Sequence, residues 1–273
     1  GFGCGIQYND DELPTLDQPA VQDFETLEQV QVPDPHRDGR MPVMLEAIRL
    51  VRQQVGDQVA IRSPGTGPFA LASYLVGTEK WLYEIALLEA GMSDANEQFI
   101  HHALQLATSA LIAFGKACAD AGADILHCGD SLASCNVISP RTYRRFAHPY
   151  QQQVFDAWKK HGAAATLLHI CGDSTPVLDD YAEPGADVNE VDHAVDLRHA
   201  RRVVGVRAAL MGNVHTVTKL LQGTPSSVRE ACRACIADAG SGRFVLGSGC
   251  IVPRLAPLEN LQEMVRVARE ARN

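Results

Sequence analysis

The chain has 273 residues, 46% hydrophobic and 21% charged, with a formal net charge of −9 and a pI near 5.5. That composition suits a globular chain with one large core, and an acidic balance without any basic cluster speaks against nucleic acid as a partner. The apolar runs are too short and interrupted to span a bilayer, no charged-then-apolar leader opens the chain, and the eight cysteines fall in strand and helix patterns, as in a reduced, cytoplasmic protein.

In chain order, Gly1 to Tyr8 is a candidate strand, and residues 9–40, acidic and Pro-containing, read as an irregular excursion. Met41 to Val55 is amphipathic and Gly56 stops it. A short strand over Gln58–Arg62 leads into Ser63-Pro64-Gly65-Thr66-Gly67-Pro68. Thr78 can cap a helix to Ala90, and Ser93 or Asp94 a longer one to Ala121, with Gly122 as its stop. A strand over 124–128 follows. Ser139-Pro140 opens a helix towards His161, with a kink or break at Pro149. The alternation continues with strand 163–170, a helix start at Thr175-Pro176, strand 186–191, helix 195–203, strand 207–212, a helix from Thr224-Pro225 to Ala239, strand 243–248 and a last helix from Pro257 to Arg272. Two helix-to-strand junctions carry the same tripeptide, Gly122-Ala123-Asp124 and Gly185-Ala186-Asp187, where Gly ends a helix before a buried strand.

Six or more such units in a row predict an α/β fold with a parallel sheet and helices outside. Polar residues stand at separate strand ends: Asp130, His169, Cys171, Asp192, Asn213 and Cys250. Side chains from so many strand ends converge only if the sheet closes. The expected architecture is therefore a (β/α)8 TIM-type barrel, one domain over 1–273, with its site at the C-terminal mouth of the strands.

His169-Ile170-Cys171-Gly172 ends a buried strand. Residues two apart share a face, so His169 and Cys171 point the same way, and Cys250 ends another strand at a Gly-rich turn. An imidazole and two thiols make a three-ligand metal set with an open fourth position, as in catalytic zinc; equally, they are a core histidine and two buried thiols. Cys232 and Cys235 form a C-x-x-C within a helical pattern, which favours packing over redox or metal chemistry. Arg144, Arg145 and His148, between Tyr143 and Tyr150, form either an anion clamp or, the better reading, an exposed helix face.

The motifs His169-Ile170-Cys171-Gly172-Asp173-Ser174-Thr175-Pro176, Val191-Asp192, Met211-Gly212-Asn213-Val214, Gly223-Thr224-Pro225, Gly247-Ser248-Gly249-Cys250 with Pro257-Leu258-Glu259-Asn260, and Asp130-Ser131-Leu132-Ala133-Ser134 with Ile138-Ser139-Pro140 resemble the uroporphyrinogen decarboxylase superfamily. The resemblance is ordered from about residue 30 to the end. His-x-Cys and the late Gly-Cys are similar to its cobalamin-dependent methyltransferase branch, which implies that His169, Cys171 and Cys250 hold zinc. The arginine-rich signature and early aspartate of the porphyrinogen decarboxylases are not recognisable. Family members usually carry several dozen more N-terminal residues, so the resemblance implies a barrel incomplete at its N-terminal side. His215-Thr216 stands where many relatives have Asp-Pro, a departure at that loop.

The implied function is zinc-dependent transfer of a methyl group from methylcobalamin or another methyl-corrinoid, free or on a corrinoid protein, to a small thiol. The alternatives are a zinc-free lyase like uroporphyrinogen decarboxylase and a non-catalytic barrel partner subunit. Asp130 and Asp192 would orient His169 or contact substrate, or else be strand-end carboxylates or helix caps. Gly65 and Gly67 would let the backbone approach the corrinoid face, or simply form a βα loop, and Asn213 would make a turn or amide contact.

Overall fold

The computed structural model describes residues 1–9, 14–92 and 95–271; the helix start expected at Ser93 or Asp94 and the last helix's expected end at Arg272 fall outside them. Contacts cluster into two compact units, Gly1–Ala133 with Arg141–Thr166, and Ser134–Pro140 with Leu167–Asn273. Among the described residues no helix is long and apolar enough to cross a membrane.

In the first unit, β1 (Gly5–Gln7) pairs antiparallel with β2 (Thr15–Gln18), and a short α1 (Phe24–Glu28) follows, capped by the Asp23 side chain. Within the expected irregular stretch 9–40, the described residues 14–40 are thus more ordered than their composition suggests, because a ribbon strand with mostly exposed side chains leaves no apolar alternation to find. α2 (Met41–Val55) buries Leu45 and Ile48 and stops at Gly56, whose φ of 54° suits glycine. Arg52 on α2 donates to the Gly122 carbonyl and pairs with Asp124, which also accepts the Ile61 N–H at 2.7 Å. That clasp ties the expected strand at 58–62 to its neighbour, yet only Arg62 and Thr66 make ladder contacts, as isolated bridges to Ile125 and Gly129.

α3 (Pro68–Val76) had no counterpart in the sequence reading. It is buried nearly all round, so no polar face marks a helical period. Phe69 meets Trp81 of α4 (Thr78–Glu89) edge-on at 5.4 Å, and Thr78 is the first helical residue rather than the cap, which is Gly77. α5 (Ala95–Asp120) buries Ile100, Ala103, Leu104, Ala107 and Leu111, a stripe at helical spacing. β3 (Ile125–Gly129) follows. The helix expected from Pro140 to His161 is α6 (Pro140–Thr142), a π-helical turn over Tyr143–Ala147, and α7 (His148–His161). Pro149 falls in the first turn of α7, where its missing N–H costs nothing; the irregularity lies just before it. α7 packs against α5 so closely that a Cβ on Gly115 would lie 2.2 Å from the Trp158 ring.

The second unit holds four parallel strands in sequential order, β4 (Ala165–Ile170), β5 (Val188–Val191), β6 (Ala209–Val214) and β7 (Phe244–Ser248). They alternate with helices. A 3₁₀ turn at Thr175–Val177 runs into α8 (Leu178–Tyr181). α9 (Leu197–Val204) is capped by Asp196, and α10 (Pro225–Ala239) by Thr224 and Ser227 in a reciprocal capping box. α11 (Leu258–Glu270) comes last. Cys232 and Cys235 lie on the buried face of α10 with Val228 and Ala239, and burial pushes the Cys232 thiol up to about 12, as expected of packing residues. The expected strand bounds hold to within about two residues. The register sets Ile170 beside Val191, His169 beside Glu190 and Glu190 beside Met211, so the C-terminal strand ends lie together.

The α5–α7 contact gives the first testable outcome. Gly115→Ala should destabilise the protein by about 1–3 kcal/mol or more in urea unfolding, through overpacking against Trp158; an unchanged midpoint would mean that the two helices can part at no cost.

Candidate functional site

His169 is the penultimate residue of β4, and Cys171 follows one residue past its end, so the period of two turns both to one face. Gly172 then reverses the chain with φ +72°. A Cβ there would lie 2.2 Å from Asn136 Oδ1, which accepts the Asp173 N–H at 2.7 Å. The turn after Cys171 is therefore held from behind, and glycine is required on both counts. At the end of β7, Gly249 donates its N–H to Val214 O at 2.9 Å and lies against the His193 backbone, where a Cβ would come to 2.5 Å. Cys250 is fixed at the next position.

These two turns bring the three side chains together. Cys171 Sγ lies 3.2 Å from His169 Nε2 and 3.4 Å from Cys250 Sγ, and all three donor atoms fall within 4.8 Å of one another. Among the described residues this is the one cluster of three or more His, Cys, Asp or Glu side chains with metal-binding geometry. His169 is buried, and the two cysteines are half-buried.

The electrostatics suit a cation. Burial disfavours a charged His169, but hydrogen bonding to Cys250 and the charge of Glu190 outweigh it, so the imidazole titrates above its ordinary 6.5. Hydrogen bonds from Cys171 and His169, against burial, pull Cys250 from 9.0 down to about 4. A thiolate at neutral pH beside a second thiol and an imidazole is the donor chemistry that a borderline metal such as zinc takes, and it leaves a fourth position for an exogenous ligand.

The carboxylate at His169 is one that the sequence reading did not single out. Glu190, its register partner, is buried, with Oε2 at 3.4 Å and its backbone O at 3.2 Å from His169 Nδ1. Nδ1–H is thereby engaged and Nε2 is left to face the thiols. Asp192, expected to orient His169, to contact substrate or to serve as a strand-end carboxylate or cap, accepts from the Ala194 N–H at 3.0 Å and contacts His193 Nδ1 at 2.8 Å. The signal for Glu190 was present: an acidic residue inside a buried strand, Val188-Asn189-Glu190-Val191, is costly unless paired. His193 also stacks on His215 at 3.8 Å, and at the departure noted for His215-Thr216 the His215 Nδ1 accepts from Val217 and Thr218 N–H, capping a π-helical turn over Thr216–Leu221.

Asn213 is fully engaged by the protein. Its amide donates to Asp192 O and Val195 O at 3.0 and 2.7 Å, and its oxygen lies 3.6 Å from Cys235 Sγ. It fastens the loop after β5. In the first unit, Gly65 and Gly67 have a structural reason of their own: a Cβ would lie 1.8 Å from His127 O and 2.4 Å from Asp130. Arg145 pairs with Glu97 at 2.5 Å, so it belongs to a salt-bridged helix face.

Asp130 is wholly buried. It accepts from the Ala70 and Phe69 N–H groups at 2.8 and 3.4 Å, stabilising the N-terminus of α3, and from Gln151 Nε2 at 2.9 Å, whose other end takes the Tyr143 hydroxyl. Burial outweighs these bonds and pushes its carboxyl from 3.8 up to about 6.

Comparison with known proteins gives the same direction. A family model described as uroporphyrinogen decarboxylase matches residues 1–271. A methylcobamide:CoM methyltransferase, MtbA, of Methanosarcina acetivorans is 32% identical over 98% of this chain and 75% of its own length. The uroporphyrinogen decarboxylase of Carboxydothermus hydrogenoformans is 29% identical over 99% of this chain and 74% of its own. A solved methyltransferase of Methanosarcina mazei superposes over all of this chain and 77% of its own with a TM-score of 0.87 at 30% identity, and the fold class is the expected α/β, TIM-type barrel.

Asp130 carries a pH signature. Its folded pKa lies above the unfolded 3.8, so folding takes up a proton: its stabilising contribution is complete below about pH 4 and is lost as pH rises through 6. Asp130→Asn should remove from the pH profile of urea stability a fall on the order of 1–3 kcal/mol between pH 4 and 6. Parallel profiles for the two proteins would show that the carboxyl is ionised on both sides of folding.

Proposed function

The chain belongs to the uroporphyrinogen decarboxylase family, and from that premise we propose that it is a zinc methyltransferase which moves a methyl group from a methyl-corrinoid to a thiol. The observation that carries the reading is the convergence of His169 Nε2, Cys171 Sγ and Cys250 Sγ within 4.8 Å. A related methyltransferase at 32% identity supports the direction of transfer, its printed name joining a methylcobamide to a thiol coenzyme. Zinc would be held by these three residues and would supply deprotonation of the acceptor thiol at neutral pH while leaving its sulfur a reactive lone pair.

The chain's own residues do the rest. The Glu190 carbonyl takes the Nδ1–H of His169, so that Nε2 is the ligand atom. Cys250 is already a thiolate at neutral pH, so metal entry displaces few protons there. His169, Cys171 and Cys250 would hold the metal and leave the acceptor thiol room to bind it. In the transfer, the acceptor sulfur attacks the methyl carbon, the S–C bond forms as the Co–C bond breaks, and the electron pair of that bond stays with cobalt. The thiol's proton goes to solvent. Asp192 with His193, and Asn213 behind them, form the loop beside Gly249 and hold Cys250 in place from that side. The methyl donor, whether a free corrinoid or a corrinoid protein, would approach the strand ends where these loops lie.

Demethylation of methylcobalamin, followed by its change in absorbance, tests this. Zinc-loaded protein with coenzyme M or another small thiol should turn over. Zinc-free protein, Cys171→Ala and Cys250→Ala should be slower by at least about 100-fold, whereas Cys232→Ala, in the packed face of α10, should keep its rate. Apparent thiol affinity should rise with pH towards the free thiol's pKa, since binding releases a proton. Equal rates with and without zinc would refute the reading, and decarboxylation of a porphyrinogen by the zinc-free protein would replace it.

A further inference from the structure

Tyr181 ends α8 and is fully buried. Its hydroxyl is surrounded by backbone. It lies 2.7 Å from Glu190 O and 3.0 Å from Leu168 O, and it accepts the Ile170 N–H at 3.2 Å. A phenol has one proton to give, and the shorter contact assigns it to the Glu190 carbonyl. That same carbonyl oxygen receives Nδ1–H of His169 at 3.2 Å. A carbonyl has two lone pairs, so both donors can be served at once.

The placement is specific. Leu168 and Ile170 flank His169 in sequence, and Glu190 is its register partner. The hydroxyl thus binds the neighbouring strands at the one rung of the sheet that carries the histidine. A tyrosine buried only for packing needs a single partner for its hydroxyl; this one is used on both strands. His169 Nδ1 also has a second acceptor within reach, the Glu190 carboxylate at 3.4 Å, so the direction of the carbonyl decides how the ring is held.

We infer that Tyr181 is a positioning residue of the metal site: its hydroxyl fixes the Glu190 carbonyl, and through it the ring plane and tautomer of His169, keeping Nε2 turned to Cys171 and Cys250. The inference rests on the zinc reading of that triad. It extends the site by one layer, into a helix that carries no ligand, and it makes the short α8 part of the apparatus that holds the metal. Partners behind a ligating histidine typically change metal affinity by about 10–100-fold when removed.

The test is zinc affinity by chelator competition, together with the visible ligand-field bands of the cobalt(II)-substituted protein, on wild type, Tyr181→Phe and Trp158→Phe. Tyr181→Phe should bind zinc about tenfold or more weakly and shift the cobalt bands. Trp158→Phe removes a buried hydrogen bond to Ile112 O in the first unit, and should lower stability without moving either readout. Wild-type affinity and bands in Tyr181→Phe would overturn the inference while leaving the zinc reading intact. A wild-type protein that holds no stoichiometric zinc would overturn both. If Tyr181→Phe does not fold, 3-fluorotyrosine at position 181 keeps the ring and the hydroxyl while making that hydroxyl a more acidic, stronger donor to the Glu190 carbonyl, at the cost of one small added atom. The cobalt bands should then still shift, and unshifted bands would again overturn it.

Discussion

The 3.2 Å contact between His169 Nδ1 and the Glu190 carbonyl decides which imidazole nitrogen faces the thiols, and everything at this end of the second unit depends on it. It exists because β4 and β5 pair in parallel with His169 opposite Glu190. Side chains alternate along a strand, so a slip of one residue would turn the histidine away from its acceptor and carry Cys171 with it. The register is therefore a functional constraint as well as a structural one. It is enforced by burial of both faces of β4 and β5 and by a tyrosine hydroxyl inserted at the same rung.

The two sulfurs, 3.4 Å apart, are close for groups of which one is a thiolate. Hydrogen bonding among the triad keeps that arrangement tolerable. A divalent cation would replace those bonds with stronger ones to the same three atoms. Loops that carry no ligand supply the rigidity: Asn136 behind Gly172, the His193 backbone against Gly249, and Asn213 behind the 192–195 turn. The first unit uses a buried acid differently. Asp130 is spent on two backbone N–H groups of α3 and a glutamine, and its raised pKa is the cost of that burial.

How much of this was legible in the sequence follows from which signals are local. Strand ends marked by Gly and helix starts marked by Thr-Pro or Ser-Pro carry their own punctuation, so β4, β7 and α10 were readable to within two residues. His169, Cys171 and Cys250 stood out because two sat on one strand face and the third at a Gly-rich turn. α3 was invisible because an all-apolar helix has no stripe, and the β1–β2 ribbon because its strands are mostly exposed. The two π-helical turns, at Tyr143–Ala147 and Thr216–Leu221, have ordinary helical composition. Glu190 and Tyr181 were missed for a deeper reason. An acid inside a buried strand marked Glu190 as needing a partner, but which partner it has, and where the Tyr181 hydroxyl reaches, depend on register and on contacts across strands that no single stretch of sequence states.

Zinc K-edge X-ray absorption on the zinc-loaded protein, with and without a small thiol, reads the metal's ligands directly. A zinc site built of His169, Cys171 and Cys250 should show two sulfur ligands at about 2.3 Å with nitrogen or oxygen completing a four-coordinate shell, and a third sulfur at the same distance once the thiol is added. Loss of a light-atom ligand should accompany that gain. A zinc shell with no sulfur, or one that keeps two sulfurs in the presence of saturating thiol, would contradict it.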